Sequence, residues 1–118
     1  MRYMMFIKHP TDYDHSDVPP ALFEAMGGFI AEYAQKGMFI DGAGLKPLAK
    51  ATRVRLTGGK VIVTDGPFSE AKEVVGGYSL IEAPTHAAAV ELATKFMELH
   101  RTYWPGFEGE SEVRPLEE

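Results

Sequence analysis

Thr64-Asp65-Gly66-Pro67-Phe68-Ser69-Glu70-Ala71-Lys72-Glu73, closed by Gly76-Gly77-Tyr78, is the stretch that decides how the chain is read. Val61-Ile62-Val63-Thr64 before it is β-branched and predicts a strand ending at Asp65. Gly66 precedes proline and is pushed away from the α region, while Pro67 suits the second position of a tight turn. Phe68 is expected to anchor the turn to the core. Ser69 is expected to cap a short helical turn through Glu73, with its carboxylates at the positive helix end. Gly76-Gly77 is read as the break before a strand at Tyr78-Ser79-Leu80-Ile81. Asp65 has two readings. It is a turn former bonded to nearby amides, or a carboxylate at a strand end that faces a cleft beside Lys72 and Glu73.

Upstream of that stretch, Thr52–Thr57 and Lys60–Asp65 predict a hairpin closed by Gly58-Gly59. Val54 and Leu56 share one face; Arg53, Arg55 and Thr57 share the other. The two arginines are edge charges that resist aggregation, or the positive side of an anion pocket. Residues Arg2 to Lys8 read as the first strand, with Tyr3, Met5 and Ile7 on one face and Met4 and Phe6 on the other. A sheet covered on one side alone should alternate apolar with polar. Here both faces want cover, and in a chain with two helices the simplest second cover is another copy's sheet. A homodimer follows as an expectation.

Pro19 to Lys36 predicts the first helix, with Leu22, Met26, Phe29 and Tyr33 as its apolar stripe. Gly27-Gly28 within it is expected to mark close packing on the sheet. Met38 to Asp41 predicts a strand running into Gly42-Ala43-Gly44, which lacks the helix a phosphate loop requires. Thr85 caps a second helix whose Ala89, Ala93, Phe96, Met97 and His100 lie along one side. His100 at its end is either a charge favoured by the helix terminus or part of a pocket wall with Tyr103 and Trp104. Gly109 to Leu116 supplies a last strand.

Between the first strand and first helix, Asp12, Asp14 and Asp17 accompany His9 and His15. Carboxylates and imidazoles suit divalent ions, but the spacing matches no calcium loop or zinc helix. A solvated loop is the preferred reading, with no metal and no organic cofactor. His9, at the end of the first strand, is expected beside the Asp65 turn on the assumption that their strands are neighbours.

The Asp-Gly-Pro-Phe-Ser-Glu-Ala-Lys-Glu motif followed by Gly-Gly-Tyr resembles the signature of the DGPF branch of the YCII-related family. Tyr3–Ile7, Gly42–Leu45 and Glu112–Pro115 extend the likeness over nearly the whole chain. The resemblance implies an α+β, ferredoxin-like antiparallel sheet with two helices on one face, paired as a dimeric α+β barrel. Most members have no established activity; some of the broader group act on lactones. A histidine on the first helix is a proposed active-site feature there, and this chain has none between Val18 and Gly37.

The 118 residues suit one domain, residues 1–118. Apolar residues make up 45% and charged residues 25%, as in ordinary globular proteins. A formal charge of −5 argues against a broad nucleic-acid surface. Without cysteine there is no disulfide, thiolate nucleophile or thiolate metal site. No apolar run is long enough to span a membrane, and the N-terminus lacks a signal-peptide pattern, so a cytoplasmic protein is expected. Two functions fit. One is a cofactor-independent acid–base enzyme of lyase or isomerase type acting on a small anionic metabolite. It would use Asp65 with His9 or His100, and bind through Arg55, Phe68, Lys72, Tyr78 and Trp104. The other is a non-catalytic dimeric module that binds a metabolite or a protein domain.

Overall fold

The structure, a computed structural model, describes residues 1–118. In chain order it contains β1 (Arg2–His9), α1 (Pro20–Gln35), β2 (Phe39–Gly44), β3 (Thr52–Thr57), β4 (Lys60–Asp65), β5 (Val74–Glu82), α2 (His86–Tyr103) and β6 (Glu110–Pro115). Four strands form one sheet in the order β2-β5-β1-β6, every pair antiparallel. With a helix between β1 and β2 and another between β5 and β6, this α+β arrangement is that of a ferredoxin-like fold. β3 and β4 form a separate two-stranded ribbon.

Period-two alternation divides the sheet. Tyr3, Met5 and Ile81 face the helices and are buried, with Ile7 and Val113 packed against them. α1 contributes Tyr33 to this core and α2 contributes Ala89, Leu92, Ala93 and Phe96. Phe29 joins the helices, its ring 4.5 Å from that of Tyr33 and 5.4 Å from that of Phe96. The alanines of α2 let that helix sit close to the sheet. Its N-terminus is closed as the sequence predicts: the Thr85 hydroxyl accepts from the Ala88 amide at 3.1 Å. Pro20 occupies the first position of α1, where its missing donor costs nothing. The opposite face of the sheet carries Met4 opposite Leu80 and Phe6 opposite Tyr78, all half-buried with no helix over them.

Four expectations are corrected. Residues 66–73 form no helix; a single Ala71 amide to Phe68 carbonyl bond closes one turn, too little to offset the cost of nucleation. Gly76 and Gly77 lie inside β5 rather than before it. Gly76 has no room for a side chain, since a Cβ there would stand 2.2 Å from the His9 ring, and one on Gly77 would be tight at 3.1 Å from the Ala43 carbonyl. Phe68 is half-buried outside the core, under the Arg53 guanidinium at 4.0 Å from its centroid. Gly27 and Gly28 pack against nothing, since a Cβ at either would meet no atom within 4 Å.

The last correction has a direct consequence. Alanine at position 28 removes backbone entropy from the unfolded chain and clashes with nothing in the helix. Gly28→Ala is expected to raise the unfolding free energy by roughly 0.4–1 kcal/mol in urea titrations at fixed protein concentration.

Candidate functional site

β1 ends with its last side chain on the helix side, and this places His9 where α2 also ends. His9 is buried and opposite Val74 in the β1–β5 register. Its Nδ1 donates to the Thr11 carbonyl, which leaves Nε2 as the ring's free lone pair. That nitrogen rests against Gly76. The irregularity in the β1–β5 pairing after Ile7 lies at the same point. β5 therefore gives up a side chain where the imidazole needs room.

His100 lies in the last turn of α2 and is buried too. Its Nδ1 donates to the Phe96 carbonyl at 3.0 Å. Desolvation pushes its pKa below the ordinary 6.5; the Phe96 bond opposes this and the charge of His9 adds to it. Phe107 stands between the two imidazoles, its centroid 6.1 Å from that of His9 and 5.1 Å from that of His100. Tyr13 and Trp104 complete an aromatic wall. Tyr13 is 5.0 Å from His9 and 4.7 Å from Trp104, and Trp104 is 4.8 Å from Phe107.

In front of His9 is a hollow of about 370 Å³ lined by Lys8, His9, Pro10, Lys72, Glu73, Glu108, Gly109 and Glu110. Lys8 is already neutralised, with Nζ 2.5 Å from Glu112 and 3.5 Å from Glu73. The Glu112 bond holds the lysine above its ordinary pKa, and the carboxyl of Glu112 is in turn held below its own. Lys72 is exposed and makes no ion pair, so it is the free cation of the hollow.

The sequence-derived candidates thus divide into two groups. His9 and Lys72 share the hollow, and His100 and Trp104 belong to the wall behind it. Asp65, Arg55, Phe68 and Tyr78 lie elsewhere. Asp65 closes the base of the ribbon, its Oδ1 accepting from the Thr52 hydroxyl at 3.1 Å. Arg55 lies on β3 opposite Ile62. Tyr78 lies in β5 between Phe6 and Ala43 on the uncovered face. The placement of His9 beside the Asp65 turn assumed adjacent strands; β1 is flanked by β5 and β6, because β4 has left the sheet. Tyr13 and Phe107 were not singled out from the sequence. Both stand in loops, where no periodicity marks them; an aromatic between Asp residues and another following Pro-Gly were the available signals. No group of three or more His, Asp or Glu side chains is arranged to hold a metal ion.

A model of the YCII-related domain matches residues 1–97. The chain belongs to the YCII-related family. His100, Trp104 and Phe107 come after the matched residues, whereas His9, Lys72 and Gly76 lie within them. An uncharacterised protein of Rhizobium meliloti (strain 1021) is 33% identical over 85 residues, which cover 72% of this chain and 64% of that relative's length. No helix of this YCII-related chain is long and apolar enough to cross a membrane.

Two outcomes test this geometry. Gly76→Ala puts a methyl group where the His9 ring stands. It is expected to shift the His9 imidazole nitrogen resonances in NMR and to cost about 1–3 kcal/mol of stability, as overpacking does. His100 binds its proton less readily in the folded chain than in the unfolded one. Unfolding therefore takes up a proton as pH falls below about 6.5, and its contribution to stability is lost in that direction. Urea unfolding between roughly pH 7.5 and 5 should show a steeper loss for wild type than for His100→Gln, in which this group no longer titrates.

Proposed function

We propose that this YCII-related protein is a cofactor-independent acid–base enzyme that works as a homodimer, with His9 as its proton-transferring group. The observation that carries the reading is the state of His9. It is buried, is held in one tautomer by the Thr11 carbonyl with no hydrogen-bond partner at Nε2, and lines a hollow open to solvent. A general base needs this combination of fixed orientation and available lone pair. His100, behind Phe107, binds its proton less readily than an exposed imidazole because it is buried. Its role is positioning rather than contact with substrate.

Charge narrows the substrate. The hollow contains Glu73, Glu108 and Glu110 against Lys8 and Lys72, and Lys8 is already committed to carboxylates. A multiply charged anion is disfavoured there. A small metabolite with one carboxylate or one polarised carbonyl suits Lys72, with the proton to be removed placed at His9. Lyase or isomerase chemistry α to a carbonyl needs no more than this.

The uncovered sheet face supports the dimer. Met4, Phe6, Tyr78 and Leu80 form an apolar layer with nothing above it, and a second copy facing it would close a two-sheet barrel. The second reading, a binding module without turnover, is favoured by the same hollow if His9 exchanges no proton with the ligand.

Deuterium incorporation separates the readings. Small 2-oxo acids and unsaturated lactones, incubated in heavy water and followed by proton NMR, should lose the signal at the carbon next to the carbonyl for at least one compound. His9→Gln is expected to slow that exchange by about 10²–10⁴-fold. Lys72→Met is expected to raise KM with kcat little changed, as loss of uniform binding does. Exchange unaffected by His9→Gln would sink the assignment. Saturable binding without exchange would leave the module.

A further inference from the structure

The β3–β4 ribbon has an apolar face that its own chain does not cover. The register sets Val54 opposite Val63 and Leu56 opposite Val61, all on one face. These four side chains are 65%, 65%, 73% and 68% exposed, in the order Val54, Val63, Leu56, Val61. Arg53, Arg55, Thr57, Lys60, Ile62 and Thr64 share the other face. There Arg53 lies over Phe68 and pairs with Glu70 of the same chain. Arg53 of the basic face is thus held by its own chain, and the apolar face is bare. The base of the ribbon is tied down by the Thr52–Asp65 bond and by the Gly66 amide, which donates to the Ala51 carbonyl at 2.8 Å. The radius of gyration is 15.8 Å, against about 13.5 Å for a compact chain of this length. An isolated two-stranded ribbon in water is marginal at best, and a contiguous exposed apolar patch marks an interaction surface.

We infer that the ribbon is an arm that packs its Val54–Leu56–Val61–Val63 face on a second copy of this chain, beside that copy's uncovered sheet face. The inference rests on the homodimer proposed above and adds the ribbon to it. Area selects the second copy as occupant. A four-stranded sheet with strands of six to nine residues presents a plane of about 400–500 Å². A stable pair buries about 800 Å² on each partner, and the ribbons supply the difference.

The chain's own dissociation gives the test. Sedimentation equilibrium of wild type is expected to give twice the 13.0 kDa chain mass. The double variant Leu56→Asp, Val61→Asp alters exposed side chains only and is expected to weaken self-association at least about tenfold, or 1.4 kcal/mol. Hydrogen exchange of wild-type ribbon amides should slow on passing from dilute monomer to concentrated dimer. A wild type that stays monomeric at high micromolar concentration overturns both the dimer and the arm. A dimer in which the ribbon amides exchange equally fast in both states, with the double variant dimerising like wild type, overturns the arm alone. A ribbon that instead binds phosphatidylglycerol vesicles and gains no protection on dimerisation also overturns it.

Discussion

β1 and β5 are paired from Arg2 opposite Glu82 to His9 opposite Val74, and both helices fold onto the face this pair presents. Tyr3, Met5 and Ile81 are buried there because the two strands stay in register for six positions. The register then shifts between Ile7 and Lys8, and the site is built at that shift. The shift leaves Gly76 without a partner on β1, and a Cβ there would stand 2.2 Å from the His9 ring. The shift, with glycine at position 76, gives the imidazole its space.

Burial is used in two ways within a few residues. At His100 it removes water from an imidazole whose one bond is to its own helix, and proton affinity falls. At Lys8 the Glu112 and Glu73 carboxylates dominate, and the lysine stays charged. His100 lies behind Phe107 and Lys8 precedes His9 on β1; the first binds its proton less readily and the second has its charge already matched. With Lys8 committed to carboxylates, Lys72 is the hollow's free cation.

Much of the fold was legible. Alternation of β-branched residues around Gly58-Gly59 set the hairpin limits correctly, Thr85 marked where the second helix begins, and the first begins at Pro20, one residue after the expected Pro19. Apolar residues on both faces of β1 marked a sheet with one side uncovered. What escaped has physical reasons. The alternation Val54-Arg55-Leu56 is the same whether the apolar face meets a core or open solvent, so the departure of the ribbon from the sheet left no trace in its pattern. Gly76-Gly77 has the composition of a break, yet close approach of His9 and Ala43 explains glycine within a strand. In the site, His9, His100, Lys72 and Trp104 were readable by type. Tyr13 and Phe107 were not, because only tertiary packing brings loop aromatics to them.

The ribbon also bears on how the chain finds its fold. β2 must pair with β5 across residues 45–73, and closing so long a connection is entropically costly. The hairpin forms from local contacts, on the microsecond scale expected of such units. Once Thr52 meets Asp65, the connection is shortened by about half, which lowers the closure cost by about 0.6 kcal/mol. Gly66, with no room for a side chain beside the Leu48 carbonyl, brings the two remaining segments together at the ribbon's base. A segment outside the main sheet thereby acts as a zip that draws two of its strands together.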